Sequence, residues 1–325
     1  MPCLEAARSP PIALSTVAEK SDIVLAPGES DAFSIGGVGV RLTCEPGGDP
    51  LTVPGAYRPF RSRQDSPDVS VRVGVTDELV ASDAPVIYEG GHHWRARGGG
   101  DELSFEIYYP PTSETYCCMN GDAGLSVVDL VFGRKNLARL PDEFTNHCNG
   151  RLWFPHPFEQ IVVIPALARQ EGFLVHACGA VVDGKAFVFA GHSGDGKTTL
   201  SRLLAEEGIE LLSDERVAIV STGDGFVVHG TPWAGEGEVV SSACFPLGGV
   251  FVLRKASSHR IVHGATGTLA AEVLARSLVP YYLADDMTRI LSLMKRAAND
   301  VPFAELEFSR EPGLSRLLAA FDAVA

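Results

Sequence analysis

The sequence predicts an α/β (α+β) protein with a β-rich amino-terminal domain over residues 23–150 and a mixed-sheet domain over residues 151–325. The length of 325 residues is enough for two domains of ordinary size. Residues 23–150 hold short apolar runs between turns rich in glycine and proline, as in β structure. Residues 151–325 alternate such runs with stretches of helical periodicity. Residues 1–22 show little periodicity, and we expect a flexible leader there.

The composition is that of an acidic globular protein. Hydrophobic residues make up 45% of the chain, charged residues 21%, and the formal net charge is -14. A negative charge of this size disfavours binding to nucleic acid or to anionic membranes, since both require basic surfaces. No apolar run is long enough to span a bilayer, and the first residues lack the apolar core of a secretory signal. We therefore expect a cytoplasmic protein with neither a nucleic-acid nor a membrane partner.

The cysteine pattern favours free thiols. Cysteine stands at positions 3, 44, 117, 118, 148, 178 and 244. An odd number with no C-x-x-C pair is typical of a reducing compartment. Cys117 and Cys118 could combine with His92 and His93 as metal ligands, but the spacing of a tetrahedral site is missing. We expect these residues to be neighbours in the β-rich domain instead.

The amino-terminal domain contains a series of candidate strands. They run over residues 33–43, 69–75, 85–88, 93–96, 103–109 and 125–132. Turn-forming residues separate them, at 46–49, 66–68, 98–101, 110–112 and 120–122. Short strands with such turns predict an antiparallel sheet or a sandwich.

The second domain opens with a helix over residues 158–171 that we expect to break or kink at Pro165. Candidate strands follow at 173–176 and 180–182. The dipeptide Asp183-Gly184 then leads into the apolar run 185–190. Because Asp-Gly between two such runs is a strong hairpin signal, we expect the strand 185–190 to have an antiparallel neighbour.

The segment after this strand matches the phosphate-binding loop (P-loop) pattern G-x-x-x-x-G-K-[ST]. Its residues are Gly191, His192, Ser193, Gly194, Asp195, Gly196, Lys197, Thr198 and Thr199. The glycines allow backbone N–H groups to turn towards phosphate oxygens, and a helix starting at Lys197 would point its positive end at them. Lys197 can reach the β- and γ-phosphates, while the Thr198 hydroxyl can bind Mg²⁺. The segment therefore predicts a bound nucleoside triphosphate, with Gly208 as the carboxy-terminal cap of the helix.

An acidic pair, Asp214 and Glu215, follows the apolar residues 209–212. Phosphoryl transfer requires a metal ion to be held and a nucleophile to be aligned. Asp214 could hold Mg²⁺ directly or through water, and Glu215 could accept a proton from an attacking hydroxyl. The alternative is a solvated acidic turn; the P-loop just upstream favours the functional interpretation.

A glycine-rich segment at 230–238 has two interpretations of equal weight. It could be a lid or substrate loop that brings Glu236 or Glu238 near the metal or the acceptor, or a surface turn with solvated acids. We expect Trp233 to pack rather than to stack on a base. The remaining elements are a strand at 247–254, helices at 269–278 and 285–295, and a last strand at 303–308.

Three segments together resemble the HPr kinase/phosphorylase family, which shares a nucleotide site with ATP-dependent phosphoenolpyruvate carboxykinases. They are Leu174-Val-His-Ala177, Gly191-His-Ser-Gly-Asp-Gly-Lys-Thr198 and Leu211-Leu-Ser-Asp-Glu-Arg-Val217. The resemblance covers residues 170–255 and implies a mixed-sheet P-loop kinase core. It implies that His176 assists acid–base catalysis, that Lys197 binds phosphate, and that Thr198 and Asp214 bind Mg²⁺. Glu215 stands where the family has its catalytic aspartate and is one methylene longer.

The resemblance implies an ATP- and Mg²⁺-dependent kinase that phosphorylates a hydroxyl, with serine of a peptide or protein, or a small molecule, as acceptor. The family's glycine-rich signature for HPr has no clear counterpart, so HPr itself is not the expected acceptor. A nucleoside triphosphate hydrolase and a nucleotide-binding regulatory module without kinase activity are the alternatives. The intact Lys197, Thr198, Asp214 and Glu215 argue against lost catalysis. HPr kinases assemble as hexamers, which leaves a homo-oligomer open.

Overall fold

The computed structural model describes residues 21–63, 65–80, 82–91, 93–98, 102–141, 152–153, 157–192 and 194–322. The chain divides into two compact units, which we call the amino-terminal unit (Glu19–Ala166 with Pro280–Ala284) and the P-loop unit (Leu167–Val279 and Asp285–Ala325). The predicted domain boundary at 150 lies outside the described residues, as does most of the predicted leader 1–22. Both stay predictions.

The amino-terminal unit is dominated by β structure. Its strands are β1 (Ile23–Leu25), β2 (Ser30–Ile35), β3 (Val38–Cys44), β4 (Leu51–Val53), β5 (Val69–Thr76), β6 (Val86–Gly90), β7 (Trp94–Gly98), β8 (Glu102–Tyr109), β9 (Glu114–Asp122), β10 (Val127–Gly133) and β11 (Leu152–Trp153). A 3₁₀ turn (Gly55–Phe60), helix α1 (Arg134–Leu137) and most of helix α2 (Phe158–Arg169) complete it. One sheet has eight strands in the order β2-β3-β5-β10-β9-β8-β7-β6, and a smaller one has the order β1-β4-β11.

Three predictions for the large sheet of this unit are wrong. The run 33–43 is a hairpin of two strands, because Gly36 and Gly37 have φ of 61° and 88° and form a tight turn. Residues 120–122, predicted as a turn, lie in β9, where pairing with β8 and β10 overrides their turn propensity. The large sheet is also not wholly antiparallel, since β5 pairs in parallel with both β3 and β10.

Of the break or kink predicted at Pro165, the break is wrong, because helix α2 runs through this residue without interruption; the kink stays a prediction. A proline in a helix interior removes one backbone hydrogen bond. Every residue from 158 to 168 is buried, and this packing holds the helix together across the missing bond.

The P-loop unit has a large mixed sheet. Its strands are β12 (Gly172–Val175), β13 (Ala177–Val182), β14 (Lys185–Ala190), β15 (Glu210–Ser213), β16 (Val217–Thr222), β17 (Gly225–His229), β18 (Cys244–Lys255), β19 (Arg260–Val262), β20 (Ser277–Leu278) and β21 (Phe303–Phe308). Its helices are α3 (Lys197–Glu206), α4 (Thr266–Leu274), α5 (Ala284–Asp300) and α6 (Leu314–Asp322). The main strand order is β15-β13-β14-β18-β17-β16-β12-β20, and β21 pairs with β18 and β19. The fold is therefore α+β with mixed sheets.

The predicted hairpin before the P-loop is confirmed. β13 and β14 pair antiparallel, and the turn residues Asp183 and Gly184 have φ of 49° and 78°. On its other side β14 pairs in parallel with β18, which pairs in parallel with β21. Three adjacent parallel strands thus end at one edge of the sheet, the edge at which ligands bind in open α/β sheets.

Both faces of this sheet are covered, which explains why its strands are almost continuously apolar. Phe187 and Phe189 of β14 pack with α3 and α6 on one face. Ala186 and Val188 of the same strand pack with α4 and α5 on the other. The P-loop therefore leaves a strand that is buried on both sides and fixed in position.

Helix α3 begins at Lys197 as predicted; its C-cap is Glu207, and Gly208, predicted as the cap, is the left-handed residue just after it, with φ of 79°. The cap is a Schellman motif, in which Ile209 N donates to Leu204 O at 2.9 Å. The Glu207 carboxylate accepts the backbone N–H groups at the start of α6. These come from Gly313 (2.7 Å), Leu314 (3.1 Å) and Ser315 (2.7 Å). Glu207 thereby ties the end of α3 to the start of α6.

Of the described cysteines, Cys44, Cys117, Cys118 and Cys178 are free and buried. Cys244 is disulfide-bonded, so the prediction of free thiols throughout is wrong at this position. Cysteine number and spacing did not reveal this, because residues distant in sequence can pair. Within the described ranges, no helix combines the length and apolar character needed to cross a bilayer.

Candidate functional site

The P-loop connects β14 to α3 through glycines whose conformations other residues rarely adopt. Gly194 and Gly196 have φ of 87° and 103°. A Cβ atom on Gly196 would lie 2.8 Å from Cζ of Phe308, so the position also lacks room for a side chain. Among the described side chains none caps α3 at its amino terminus. The first N–H groups of α3 are therefore available to an anion, with the helix dipole favouring it.

Contacts within the loop hold Lys197 in place. Its buried ammonium group donates to Gly191 O at 2.9 Å and to His192 O at 3.2 Å. The Asp195 carboxylate accepts the His192 N–H at 2.5 Å and so closes the loop on itself. Burial lowers the pKa of Lys197, and the carboxylates of Glu215 and Asp195 oppose that shift. Ser193, also predicted to bind the nucleotide, lies outside the described residues.

A tight turn between β15 and β16 presents the acidic pair. The Ser213 hydroxyl accepts the backbone N–H groups of both Glu215 and Arg216 at 3.1 Å. Ala177 N donates to Glu215 O at 3.0 Å. The turn is thus fixed to the start of β13, and this places Glu215 beside His176.

His176 and Glu215 form a polar pair. Their Nδ1 and Oε1 atoms are 3.3 Å apart, and about a quarter of each side chain is exposed (26% and 25%). Arg216 Nη2 lies 3.6 Å from the same carboxylate oxygen. Burial lowers the pKa of His176, the charge of Lys197 lowers it further, and Glu215 opposes both. The imidazole is therefore neutral at pH 7 and can donate a hydrogen bond to Glu215.

Asp214 contacts the glycine-rich loop, a partner that the sequence did not suggest. Its carboxylate is buried and accepts N–H groups from Gly235 (2.9 Å), Gly237 (2.6 Å) and Val239 (3.4 Å). A Cβ atom on Gly235 or Gly237 would lie 2.8 or 2.7 Å from Asp214 Oδ2, so both positions require glycine. The Gly-x-Gly spacing was the only sequence signal of this contact. The predicted role of Asp214 as an Mg²⁺ ligand stays a prediction.

The anchored loop directs one of its two acids towards the site. Glu238 N donates to Gly235 O at 3.1 Å, which forms a turn with Glu236 at its tip. Glu236 lines the cavity described next. Trp233 is buried, as expected for a packing residue.

A cavity of about 710 Å³ brings the predicted groups together. It is lined by the P-loop residues Gly194, Gly196, Lys197, Thr198 and Thr199, by His176, Glu215 and Glu236, and by Lys255, Ala256, Phe308, Ser309 and Arg310. Among the described residues this lining does not include Gly191, His192, Asp195 or Asp214. Sequence reasoning missed the third group, which comes from the ends of β18 and β21. To find it from the sequence, one would have had to know that those two strands pair in parallel and end together.

The site is not a preformed metal centre in the part of the chain that is described. No group of three or more His, Cys, Asp or Glu side chains there is arranged to hold a metal ion. An Mg²⁺ ion here would take most of its ligands from phosphate oxygens and water, as is usual for this ion. Thr198 and Glu215 are among the oxygen-bearing side chains in the cavity wall.

Residues 158–292 match a family model described as SynChlorMet cassette protein ScmC. The match spans less than half of the 325 residues and includes the P-loop, the acidic turn and the glycine-rich loop. No curated protein matches the chain.

Proposed function

We propose that this chain is an ATP- and Mg²⁺-dependent kinase with a P-loop core of the HPr kinase and phosphoenolpyruvate carboxykinase type. It transfers the γ-phosphoryl group to a hydroxyl, with serine of a peptide or protein, or a small molecule, as the acceptor. One observation carries the proposal: the 710 Å³ cavity joins Lys197 and Thr198 to the His176–Glu215 pair. Phosphate-binding groups and a base thus share one space, as phosphoryl transfer to a hydroxyl requires.

The residues present fit Mg²⁺-ATP. The uncapped start of α3 and the Lys197 ammonium group form a cradle for phosphate oxygens, and Thr198 offers a hydroxyl to the metal. When bound, Mg²⁺-ATP supplies the phosphoryl group and the positive charge that offsets its negative oxygens. Gly194 and Gly196 already hold the end of the loop in left-handed conformations that shape the backbone around the start of α3.

Glu215 is the proposed general base. Its carboxylate can take the proton of an acceptor hydroxyl as the oxygen of that hydroxyl attacks the γ-phosphorus, while the bond from that phosphorus to the bridging oxygen breaks and ADP leaves. His176, neutral at pH 7, and Arg216 position the carboxylate, since Nδ1 and Nη2 lie 3.3 Å and 3.6 Å from the same oxygen. Glu236, on the anchored loop, faces the cavity and can contact the acceptor.

Nucleotide binding is tested first by thermal unfolding with Mg²⁺-ATP and, for comparison, Mg²⁺-GTP. Ligand at one hundred times its Kd should stabilise the protein by about 2.7 kcal/mol. Lys197→Met should abolish the shift, whereas Arg202→Gln should keep it, because Arg202 is exposed on α3 and does not line the cavity. Absence of any shift in the wild-type protein would refute the proposal, whereas binding without turnover under any acceptor would favour the regulatory module.

Phosphoryl transfer is tested next, by ADP release with a panel of seryl peptides and small alcohols. Release that depends on an acceptor identifies a kinase, and release in buffer alone at the same rate identifies a hydrolase. Glu215→Gln should lose about 10²-fold or more in rate while it still binds Mg²⁺-ATP. Equal loss of binding and rate would make Glu215 a metal ligand instead of a base.

A further inference from the structure

Two cations in the cavity wall lie apart from the P-loop. Lys255 is the last residue of β18, and Arg310 follows the end of β21. Both side chains are exposed and line the cavity. Within the described ranges, neither forms an ion pair or a side-chain hydrogen bond, and the proposed catalytic steps use neither.

The two acids of β21 are already paired with other cations. Glu305 of β21 binds Arg254 at 2.8 Å, and Glu307 binds Arg260 at 2.9 Å. Neither carboxylate of β21 is therefore available to pair with Lys255 or Arg310. The cavity lining holds three cations, Lys197, Lys255 and Arg310, against the two carboxylates of Glu215 and Glu236, so it carries an excess of positive charge in a chain whose net charge is -14.

The backbone that carries these two cations is fixed by contacts outside the P-loop. Lys255 is the register partner of Phe308, and Ala256 N donates to Phe308 O at 3.0 Å. His259 then holds the segment around Arg310 from both sides.

The imidazole of His259 makes two contacts with this segment. Its Nδ1 accepts the N–H of Ser309 at 3.4 Å, and its Nε2 lies 2.6 Å from Glu311 O, to which it donates. Ser309 and Glu311 flank Arg310, so the cation projects from a backbone that is held before any ligand binds. Such preorganisation reduces the entropy lost on binding.

We propose that Lys255 and Arg310 form a second anion subsite of the cavity, which binds a phosphate or carboxylate group beyond those at the P-loop. This inference rests on the proposed kinase function. The anion has two possible sources, a phosphate of the nucleotide outside the P-loop or an acidic group on the acceptor. Guanidinium and ammonium groups suit both, because they bind carboxylates and phosphates through charge-assisted hydrogen bonds.

The test uses the full chain with Mg²⁺ and β,γ-imido-ATP, followed by sulfate titrated into the saturated complex, both measured by calorimetry. The variant is Lys255→Gln combined with Arg310→Gln. The matched control is Arg202→Gln combined with Arg316→Gln, which removes the same charge from exposed positions on α3 and α6 outside the cavity. Circular dichroism and melting temperature establish that both variants fold.

Two results support the subsite and identify its ligand. If the nucleotide is the source, the cavity variant binds imido-ATP about tenfold more weakly or worse than the control does. If the acceptor is the source, imido-ATP affinity is unchanged, and sulfate binds the wild-type complex about tenfold more tightly than the variant complex. Equal behaviour of the cavity and control variants in both titrations overturns the inference.

The kinase proposal can fail separately. If the wild-type protein does not bind imido-ATP, that proposal is refuted, and sulfate is titrated into the nucleotide-free proteins instead. Weaker sulfate binding by the cavity variant than by the control then supports the subsite alone. Equal sulfate binding by the cavity and control variants refutes the subsite as well.

Discussion

Replacing Asp214 with asparagine separates a structural role from a metal-binding one. The carboxylate accepts N–H groups from Gly235, Gly237 and Val239, all of them in or next to the glycine-rich loop. Asparagine has nearly the same shape but only one acceptor oxygen. With that oxygen towards Gly235 and Val239, the new NH₂ group faces the Gly237 N–H, which lies 2.6 Å from the oxygen that it replaces. The substitution thus removes one hydrogen bond and buries two opposed donors.

The expected loss of stability follows from these contacts. A hydrogen bond to a charged acceptor contributes about 1.5–3 kcal/mol, and a buried unsatisfied donor costs about 1–3 kcal/mol. We expect Asp214→Asn to lower the free energy of unfolding by about 3 kcal/mol. For a domain of this size the melting temperature should fall by roughly 6–12 °C.

Urea denaturation and calorimetry measure this loss. Glu215→Gln is the matched control, because it makes the same chemical change at the next residue, where the side chain is about a quarter exposed (25%). Its effect should stay under about 1 kcal/mol. An Asp214→Asn protein with wild-type stability but without Mg²⁺-dependent nucleotide binding would refute the anchoring role and make Asp214 a metal ligand.

Two further changes test the framework of the P-loop unit. Gly196→Ala should destabilise the protein by about 2 kcal/mol and weaken nucleotide binding, because φ is 103° and Phe308 blocks the new methyl group. The control is Gly267→Ala in α4, where the new Cβ would meet no described atom within 4 Å beyond its own helix backbone and chain neighbours. It should leave the protein as stable or up to about 1 kcal/mol more stable, and denaturation curves compare the two variants. Glu207→Ala should cost about 2 kcal/mol and Glu206→Ala, at an exposed neighbour, almost nothing. Burial alone would raise the pKa of Glu207, but hydrogen bonds from the start of α6 lower it to about 2. The stability that Glu207 contributes should therefore be complete above pH 4.5 and disappear as the pH falls towards 2; a wild-type acid profile in Glu207→Ala would contradict this.

Local signals predicted the elements around the P-loop well. The Asp183-Gly184 hairpin, the start of α3 at Lys197 and the strand 303–308 match the structure, because turn chemistry and periodicity within a few residues determine them. The turn predicted at 120–122 is wrong because it depended on local signals alone, and these residues lie in β9. Its turn-forming residues are held in a strand by partners on both sides, which no local signal shows.

The candidate site was predictable only where it is local in sequence. The P-loop pattern and the acidic pair identified Lys197, Thr198 and Glu215, all of which line the cavity. Asp214 contacts the glycine-rich loop, and Lys255 and Arg310 line the cavity. Both arrangements bring together segments more than twenty residues apart along the chain. Contacts of this kind depend on strand order, which pattern and propensity do not determine.

The buried thiol of Cys178 is a built-in probe of local opening in the P-loop unit. It lies in β13, the hairpin partner of the P-loop strand, and burial raises its pKa. Because only an exposed thiolate reacts, alkylation has to wait until this hairpin opens. The rate of alkylation at Cys178 can be measured on the peptide that contains it by mass spectrometry. This rate therefore reports how often the β13–β14 hairpin opens. A ligand that binds only the closed form would lower the rate of alkylation as its occupancy rises. Binding could thus be followed without a label in the cavity.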